Sequence, residues 1–597
     1  MTMAPFISKW RFALMATLFS AAFVAIAARL FVLHVCESQK SIDALEDQRQ
    51  TTTLISAKRG NITDARGNLL AVSRPVIKLG VDPKVLELDD PKVKEKLETA
   101  SLILKMPLSE LLEKCKPETF EVETENGMVL KERRWRLIDT VEEDVFEKIA
   151  ALNIYGFKGE KKYVRTYPSQ GLAAHAIGFV NAEGTSVSGV ERMCEYYLKG
   201  QDGWIQTEKD ARRREIAQFR MREVPAVDGM NVELSIDIIL QEVAQREIQR
   251  IVEEFNPNKA TIIISDPATG FICAMASYPS FDPNNYNKYP VENLRNYAIS
   301  DRLEPGSTFK IVPISAALNE NIVTQDDTFD CSQSTANFRG RILKLPGESH
   351  KMGILSVRQI AEQSSNRGAA HLGMLLGEKK LYEYAKLFGF GERTHIGLAG
   401  EVDGTLHNPK RWDGLTITRM PMGHAIDATP LQIHCAMSVL ANQGVYMKPQ
   451  LVKRVYSADG KSEILFAPKK LRQVISPKVA EEMCDILSGV ASKVGTARRA
   501  AVEGFKVAGK TGTAKKIVNG KYSSLHYASS FTGIFPADRP RLVITIVVDE
   551  PHSKISRYGG AVGGPAFANI ARQAAAYLGI QNDEEYQKIL AWKDSLW

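Results

Sequence analysis

The chain has 597 residues and a net charge of +7, so it is too long for one hydrophobic core and only mildly basic for its size. It has no basic stripe with interleaved aromatics, which argues against nucleic acid as a partner, and a 44% apolar, 25% charged composition excludes a disordered or fibrous chain. The cysteines, at 36, 115, 194, 273, 331, 435 and 484, are scattered, odd in number and never spaced Cys-x-x-Cys; they read as small buried apolar residues rather than a disulfide framework or zinc site.

Lys9 and Arg11 precede an apolar run over 12–35 in which Arg29 is the single charge. As a helix this run is about 36 Å long, enough to cross a hydrocarbon core. Arg29 can snorkel to the headgroups, and the basic flank predicts residues 1–11 inside and the body exported. The alternative is a cleaved signal ending near Ala25-Ile26-Ala27, which also exports the body. Residues 36–58 are polar and predict a helix or linker.

Arg59-Gly60 leads into residues 64–68, a hairpin turn between short strands. Helices are expected over 91–105 and 142–152. Arg165, His175, Gly189-Val190-Glu191 and Leu198-Lys199-Gly200 follow. His175 reads as a packed or surface histidine, and Arg212-Arg213-Arg214 as a solvated face. A strand alternates through Val232, Leu234 and Ile236, and a helix covers 240–254. Apolar strands at 260–265 and 270–277 flank the turn Asp266-Pro267-Ala268-Thr269-Gly270, and 278–289 is a Pro/Asn-rich loop.

Chemistry concentrates after this point. Glu304-Pro305-Gly306-Ser307-Thr308-Phe309-Lys310 places a hydroxyl and an ammonium three residues apart, on one face if helical, ahead of the apolar run Ile311, Val312, Ile314, Ala316, Ala317 and Leu318. The turn signal Pro305-Gly306 puts Ser307 near a helix N-terminus, where free N–H groups favour a developing anion. Serine becomes a nucleophile when a base takes its proton, and lysine serves as that base only if burial or a nearby positive charge keeps it neutral. Lys510, in Lys510-Thr511-Gly512-Thr513, is the candidate neighbour. Between them lies Ser364-Ser365-Asn366, where Ser364 and Asn366 converge only if the helical stretch 354–376 turns there. Pro313 lacks an N–H and can kink the helix that follows Lys310. Residues 319–354 read as irregular cleft border. A helix is expected from Thr429-Pro430 to Ala441, strands over 505–516, 527–535 and 541–549, and a closing helix over 567–578. These elements predict an α+β chain with an antiparallel sheet covered on both faces.

The order Ser-x-x-Lys, Ser-x-Asn, Lys-Thr-Gly resembles the active-site set of penicillin-binding proteins. Arg59-Gly60 through Ala71, and the Gly-apolar-Glu and Leu-x-Gly runs at 189–200, resemble the pedestal of class B members. The resemblance implies a transmembrane helix at 12–35, a non-catalytic pedestal (dimerisation) domain at 36–225, a transpeptidase domain at 226–580 with a five-stranded sheet between helical layers, and a tail at 581–597. It implies cross-linking of peptidoglycan stem peptides by acyl transfer from D-Ala-D-Ala through Ser307, with Lys310 as base, Ser364 and Lys510 as proton relay, and Asn366 on the substrate amide. Thr511, Gly512 and Thr513 would bind substrate, and the N–H groups of Ser307 and Thr513 would form the oxyanion hole. No cofactor or metal is implied. The implied partners are stem peptides, β-lactams, the inner membrane and a polytopic division glycosyltransferase with other division proteins. Residues 547–567 look more like the septum-specific type than the elongation type. Ser365 where class A β-lactamases carry aspartate argues against a lactamase. A carboxypeptidase and a non-enzymatic β-lactam sensor on the same fold are the rival readings.

Overall fold

A computed structural model describes residues 9–36, 50–124, 127–132, 135–209, 215–492, 495–518, 520–552, 556–584 and 586. The Arg212-Arg213-Arg214 run, most of the 36–58 segment and most of the expected tail lie outside the described residues. The chain divides into two compact units, Met1–Lys58 with Gly200–Asp228, and Arg59–Lys199 with Gly229–Trp597.

In the first unit, the helix Lys9–Phe31 runs on into a π-helical turn, Val32–Cys36. Residues Lys9–Val35 are long and apolar enough to cross a membrane. The same unit holds a three-stranded antiparallel sheet, with Gly203–Lys209 between Gln50–Ile55 and Glu215–Val224. Where a helix or linker was expected over 36–58, the described residues 50–55 are a strand, because Thr51-Thr52-Thr53 supplies a β-branched run.

The second unit is built on a five-stranded antiparallel sheet in the order Ile272–Tyr278, Lys259–Ser265, Leu542–Asp549, Lys521–Phe535, Ala508–Val518. Leu542–Asp549 is buried on both faces, as its near-continuous apolar run predicts. One face packs on the helices Ile238–Phe255 and Gly559–Leu578, where Phe531 meets Phe567 edge to face at 5.0 Å. The other packs on Pro430–Ala441, whose Thr429–Gln432 capping box and first-turn Pro430 were legible signals. On that face a buried polar chain runs Ser265–His434–Thr545–Thr532, with spacings of 2.6, 2.9 and 2.7 Å. Burial holds His434 neutral, its pKa pushed down to about 3.

The pedestal motifs converge on one carboxylate. Glu191, fully buried, accepts from Arg59 Nε at 2.7 Å, Arg165 Nε at 2.6 Å and the Tyr167 hydroxyl at 3.2 Å. Arg165 also donates to the carbonyl of Gly60 at 2.7 Å. Gly60 is required there, since a Cβ would fall 1.9 Å from the Met230 carbonyl oxygen. The hairpin turn at 64–68 forms as expected, joining Ile62–Thr63 to Leu69–Val81, and Ile62–Thr63 pairs in parallel with Asn231–Leu234. His175 is a buried core histidine whose Nε2 lies 2.8 Å from the Asn293 carbonyl; burial pushes its pKa down to about 4. The described cysteine thiols are all free, five of them buried.

Three further expectations need correction. Residues 319–354 are not wholly irregular: Thr328–Asp330 pairs with Ile354–Ser356, and Thr335–Phe338 with Arg341–Lys344. Their strands of three and four residues are too short for period-2 alternation to stand out. Helical structure near 354–376 begins at Val357, not 354, and breaks between Val357–Glu362 and Asn366–Leu387. The closing helix begins at Gly559, eight residues before the expected start, since its glycines read as loop but serve close packing.

Candidate active site

Ser307 sits in a 3₁₀ turn, Gly306–Lys310, that continues directly into the helix Ile311–Asn319. Pro313 falls in the first turn of the regular helix, where proline is tolerated. Gly306 takes a φ of +54°, and its neighbour across the cleft is Ala514, just after the Lys-Thr-Gly. Ser307 is half-buried and its hydroxyl makes no hydrogen bond among the described residues.

The Ser364-Ser365-Asn366 loop turns as its chemistry requires. Ser364 adopts φ +60°, a left-handed conformation rare outside glycine and asparagine. This brings its carbonyl, its hydroxyl and the Asn366 amide to one point. Lys310 Nζ lies there 2.5 Å from Ser364 O, 3.1 Å from Ser364 Oγ and 2.7 Å from Asn366 Oδ1. Lys510 Nζ reaches the same Ser364 Oγ at 2.9 Å from the opposite side. Both lysines are fully buried. Burial and then the Lys510 charge hold the Lys310 pKa well below the ordinary lysine value, partly opposed by Glu348, and burial pushes Lys510 down to about 7. The structure thus brings Lys310, Ser364, Asn366 and Lys510 together around one hydroxyl.

Ala508–Val518 is an edge strand, and successive residues face opposite ways. Lys510 faces Ser364. The Thr511 hydroxyl lies 3.1 Å from that of Thr496, and Thr513 Oγ1 accepts from the N–H of Gly559, the first residue of the closing helix, at 3.1 Å. Gly512 has a packing reason the sequence did not show: a Cβ there would stand 2.3 Å from Ser530 Oγ and 3.0 Å from both Pro305 O and Thr308 Cγ2. Its absence lets the strand lie against the turn that carries Ser307.

Glu348 is the site residue that sequence reading missed. Its carboxylate accepts from Ser365 Oγ at 2.7 Å, from the N–H of Asn366 at 3.0 Å and from the N–H of Arg367 at 2.8 Å. It therefore caps the helix Asn366–Leu387 and fixes the loop that holds Lys310. Asn366 Nδ2 donates to Gly347 O at 2.7 Å, and Arg367 ties the same strap through Pro346 O at 3.1 Å. Glu348 lies 16 residues before Ser364 in an unpatterned stretch, so no local signal marks it. Glu304, His424 and the glycines at 559 and 560 were likewise not picked out as site residues.

Residues 260–572 match the family model of the penicillin binding protein transpeptidase domain, and residues 54–234 that of the penicillin-binding protein dimerisation domain. The chain is 30% identical over 537 residues to a probable peptidoglycan D,D-transpeptidase, PenA, of Neisseria meningitidis, covering 89% of this chain and 86% of that one. It is 28% identical over 582 residues to the peptidoglycan D,D-transpeptidase FtsI of Escherichia coli K12, covering 97% and 94%. The fold is shared with penicillin binding protein 3 of Mycobacterium tuberculosis in its aztreonam complex, at TM-score 0.65 and 24% identity over 89% of this chain and 98% of that one. The transpeptidase match alone spans more than half of the sequence, and with the length shared with the Neisseria protein it shows that the chain belongs to the class B penicillin-binding proteins, the serine-type peptidoglycan D,D-transpeptidases.

Proposed function

We propose that Ser307 is the nucleophile of this transpeptidase and that the two buried lysines move its proton. Supporting this is a single observation: Lys310 and Lys510, both with proton affinity lowered by burial, share the Ser364 hydroxyl at 3.1 and 2.9 Å. In acylation, neutral Lys310 takes the Ser307 proton as Oγ attacks the penultimate D-Ala carbonyl. The proton passes through Ser364, beside Lys510, to the departing D-Ala amine, and the ester remains on Ser307. An acceptor amine then forms the amide and releases Ser307. Asn366 holds the substrate amide. Thr511 and Thr513 take the terminal carboxylate beside the N-terminus of the closing helix, whose dipole favours an anion. The N–H groups of Ser307 and Thr513 stabilise the tetrahedral oxyanion, each worth about 3 kcal/mol.

The ligands in this reading are stem peptides and β-lactams, which mimic the D-Ala-D-Ala amide. Residues 9–35 anchor the chain in the inner membrane, with the N-terminus inside and the catalytic unit outside. Septum formation is the cellular role, with a polytopic division glycosyltransferase as partner; the motif at 547–567 supports this over elongation. Intact mass of the full chain in detergent, with and without a fluorescent penicillin, tests the nucleophile. One adduct per chain, mapped to Ser307 and absent in Ser307→Ala, is expected. No adduct on folded wild-type protein would refute it.

A further inference from the structure

A second set of acid–base groups lies beside the nucleophile and has no role in the acylation machinery. The segment before Ser307 is laid against residues 423–428: Leu303 and Ala428 exchange backbone hydrogen bonds at 3.0 and 2.9 Å, and the N–H of Gly306 donates to Gly423 O at 3.1 Å. Gly423 has φ +85°, and a Cβ on it would fall 2.0 Å from Gly306 O, so the contact needs glycine. His424 and Ser307 are each the next residue after this touching pair.

Around His424, Tyr522 donates its hydroxyl proton to Glu304 Oε1 at 3.0 Å, and Oε1 also accepts from the N–H of Ala425 at 3.1 Å. Burial, with the Glu304 charge second, pushes the Tyr522 pKa up to about 12, so it keeps that proton. Tyr522 Oη lies 3.2 Å from His424 Nδ1, and with its proton committed to Glu304 it accepts there. Glu304 Oε2 is 2.8 Å from the same Nδ1, off the line of a well-directed hydrogen bond, and has no other partner. Both neighbours of Nδ1 are therefore acceptors. In the neutral ring the hydrogen is therefore placed on Nδ1, which leaves the Nε2 lone pair free in a side chain that is 18% exposed. A carboxylate that orients an imidazole from behind is the arrangement of a general base. Tyr522 belongs to the strand paired with the one that carries Lys510 to Thr513, so the trio spans the two walls that meet at Gly306 and Ala514.

We propose that Glu304, Tyr522 and His424 form the site that receives the acceptor amine. This rests on Ser307 being the acylated residue. The acceptor arrives as an ammonium, and the negative charge of the Glu304 carboxylate behind His424 attracts it. The ammonium gives one proton to His424 Nε2. The freed amine attacks the acyl-Ser307 carbonyl, the C–N bond forms and the Ser307 Oγ–C bond breaks. The second amine proton passes through Lys310 to the departing Oγ, and His424 returns its proton to water.

The test uses the full chain in detergent with an acyl-D-alanyl thioester as donor and a D-amino acid as acceptor. Amide and hydrolysis products are quantified from the same acyl-enzyme, so a general loss of folded protein lowers both and leaves their ratio unchanged. His424→Gln is expected to cut the amide-to-hydrolysis ratio by about tenfold or more. Tyr522→Phe, which keeps the ring and loses the bond to Glu304, is expected to cut it about threefold. An unchanged ratio in His424→Gln, whether or not total turnover falls, overturns the proposal and leaves the trio as a structural tie. Failure of the wild type to form any acyl-Ser307 would instead sink the reading of the nucleophile.

Discussion

Lys510→Met should make the protein more stable at neutral pH while destroying acylation. Lys510 is fully buried and its pKa is pushed from 10.5 down to about 7. At about 1.4 kcal/mol for each pH unit between those values, carrying this lysine costs the folded state about 4 kcal/mol at pH 7. Methionine removes that cost. It also removes hydrogen bonds to Ser364 Oγ at 2.9 Å and Thr511 O at 3.4 Å, which offset it by about 1 kcal/mol each. The net gain is about 2 kcal/mol at pH 7. Its pH dependence has a definite sign. The unfolded lysine binds a proton that the folded one has shed between pH 7 and 10.5, so wild-type stability rises with pH across that window. The advantage of the variant should be largest at pH 6–7 and shrink steadily towards pH 10. Urea unfolding of both full-length proteins in detergent at pH 6.5, 8 and 9.5 reads this directly, with penicillin acylation measured alongside. A variant less stable than wild type at all three values, with a constant difference, would refute the claim that burial of this ammonium is unfavourable.

Glu348→Gln should slow penicillin acylation about tenfold, since it weakens three hydrogen bonds that hold the Ser364 loop. The Glu348 carboxylate also raises the Lys310 pKa, so its removal should move the acid limb of the acylation rate profile to lower pH, a shift that loosening of the loop alone would not cause. Gly512→Ala should lower both stability and acylation, by about 1–3 kcal/mol and at least about tenfold, because its methyl would stand 2.3 Å from Ser530 Oγ and press on Pro305 and Thr308. A thermal melt with a penicillin-binding time course checks it, and wild-type values in both would disprove the packing argument.

Much of the site was legible because its chemistry is local. Ser307 and Lys310 are held three apart by one turn, Lys510 to Thr513 by one strand, and the requirement that Ser364 and Asn366 converge correctly demanded the break that the left-handed Ser364 supplies. The strands 259–265 and 542–549 and the helices 238–255 and 430–441 announced themselves through periodicity and caps. Short exposed strands in 328–344 and the glycine-opened helix at 559 gave no such signal, since neither periodicity nor propensity marks an element made for contact with a neighbour.

The chemical groups, their order and the elements that carry them follow from local sequence, because hydrogen-bonding periodicity, capping and the reach of a helical turn act over a few residues. It takes the packed fold to make two lysines 200 positions apart share one hydroxyl and lose proton affinity by burial, to set Glu348 against their loop, and to bring Glu304 and Tyr522 against His424. Burial and electrostatic coupling depend on which surfaces meet, and that is set by the packing of the whole sheet rather than by any segment of it.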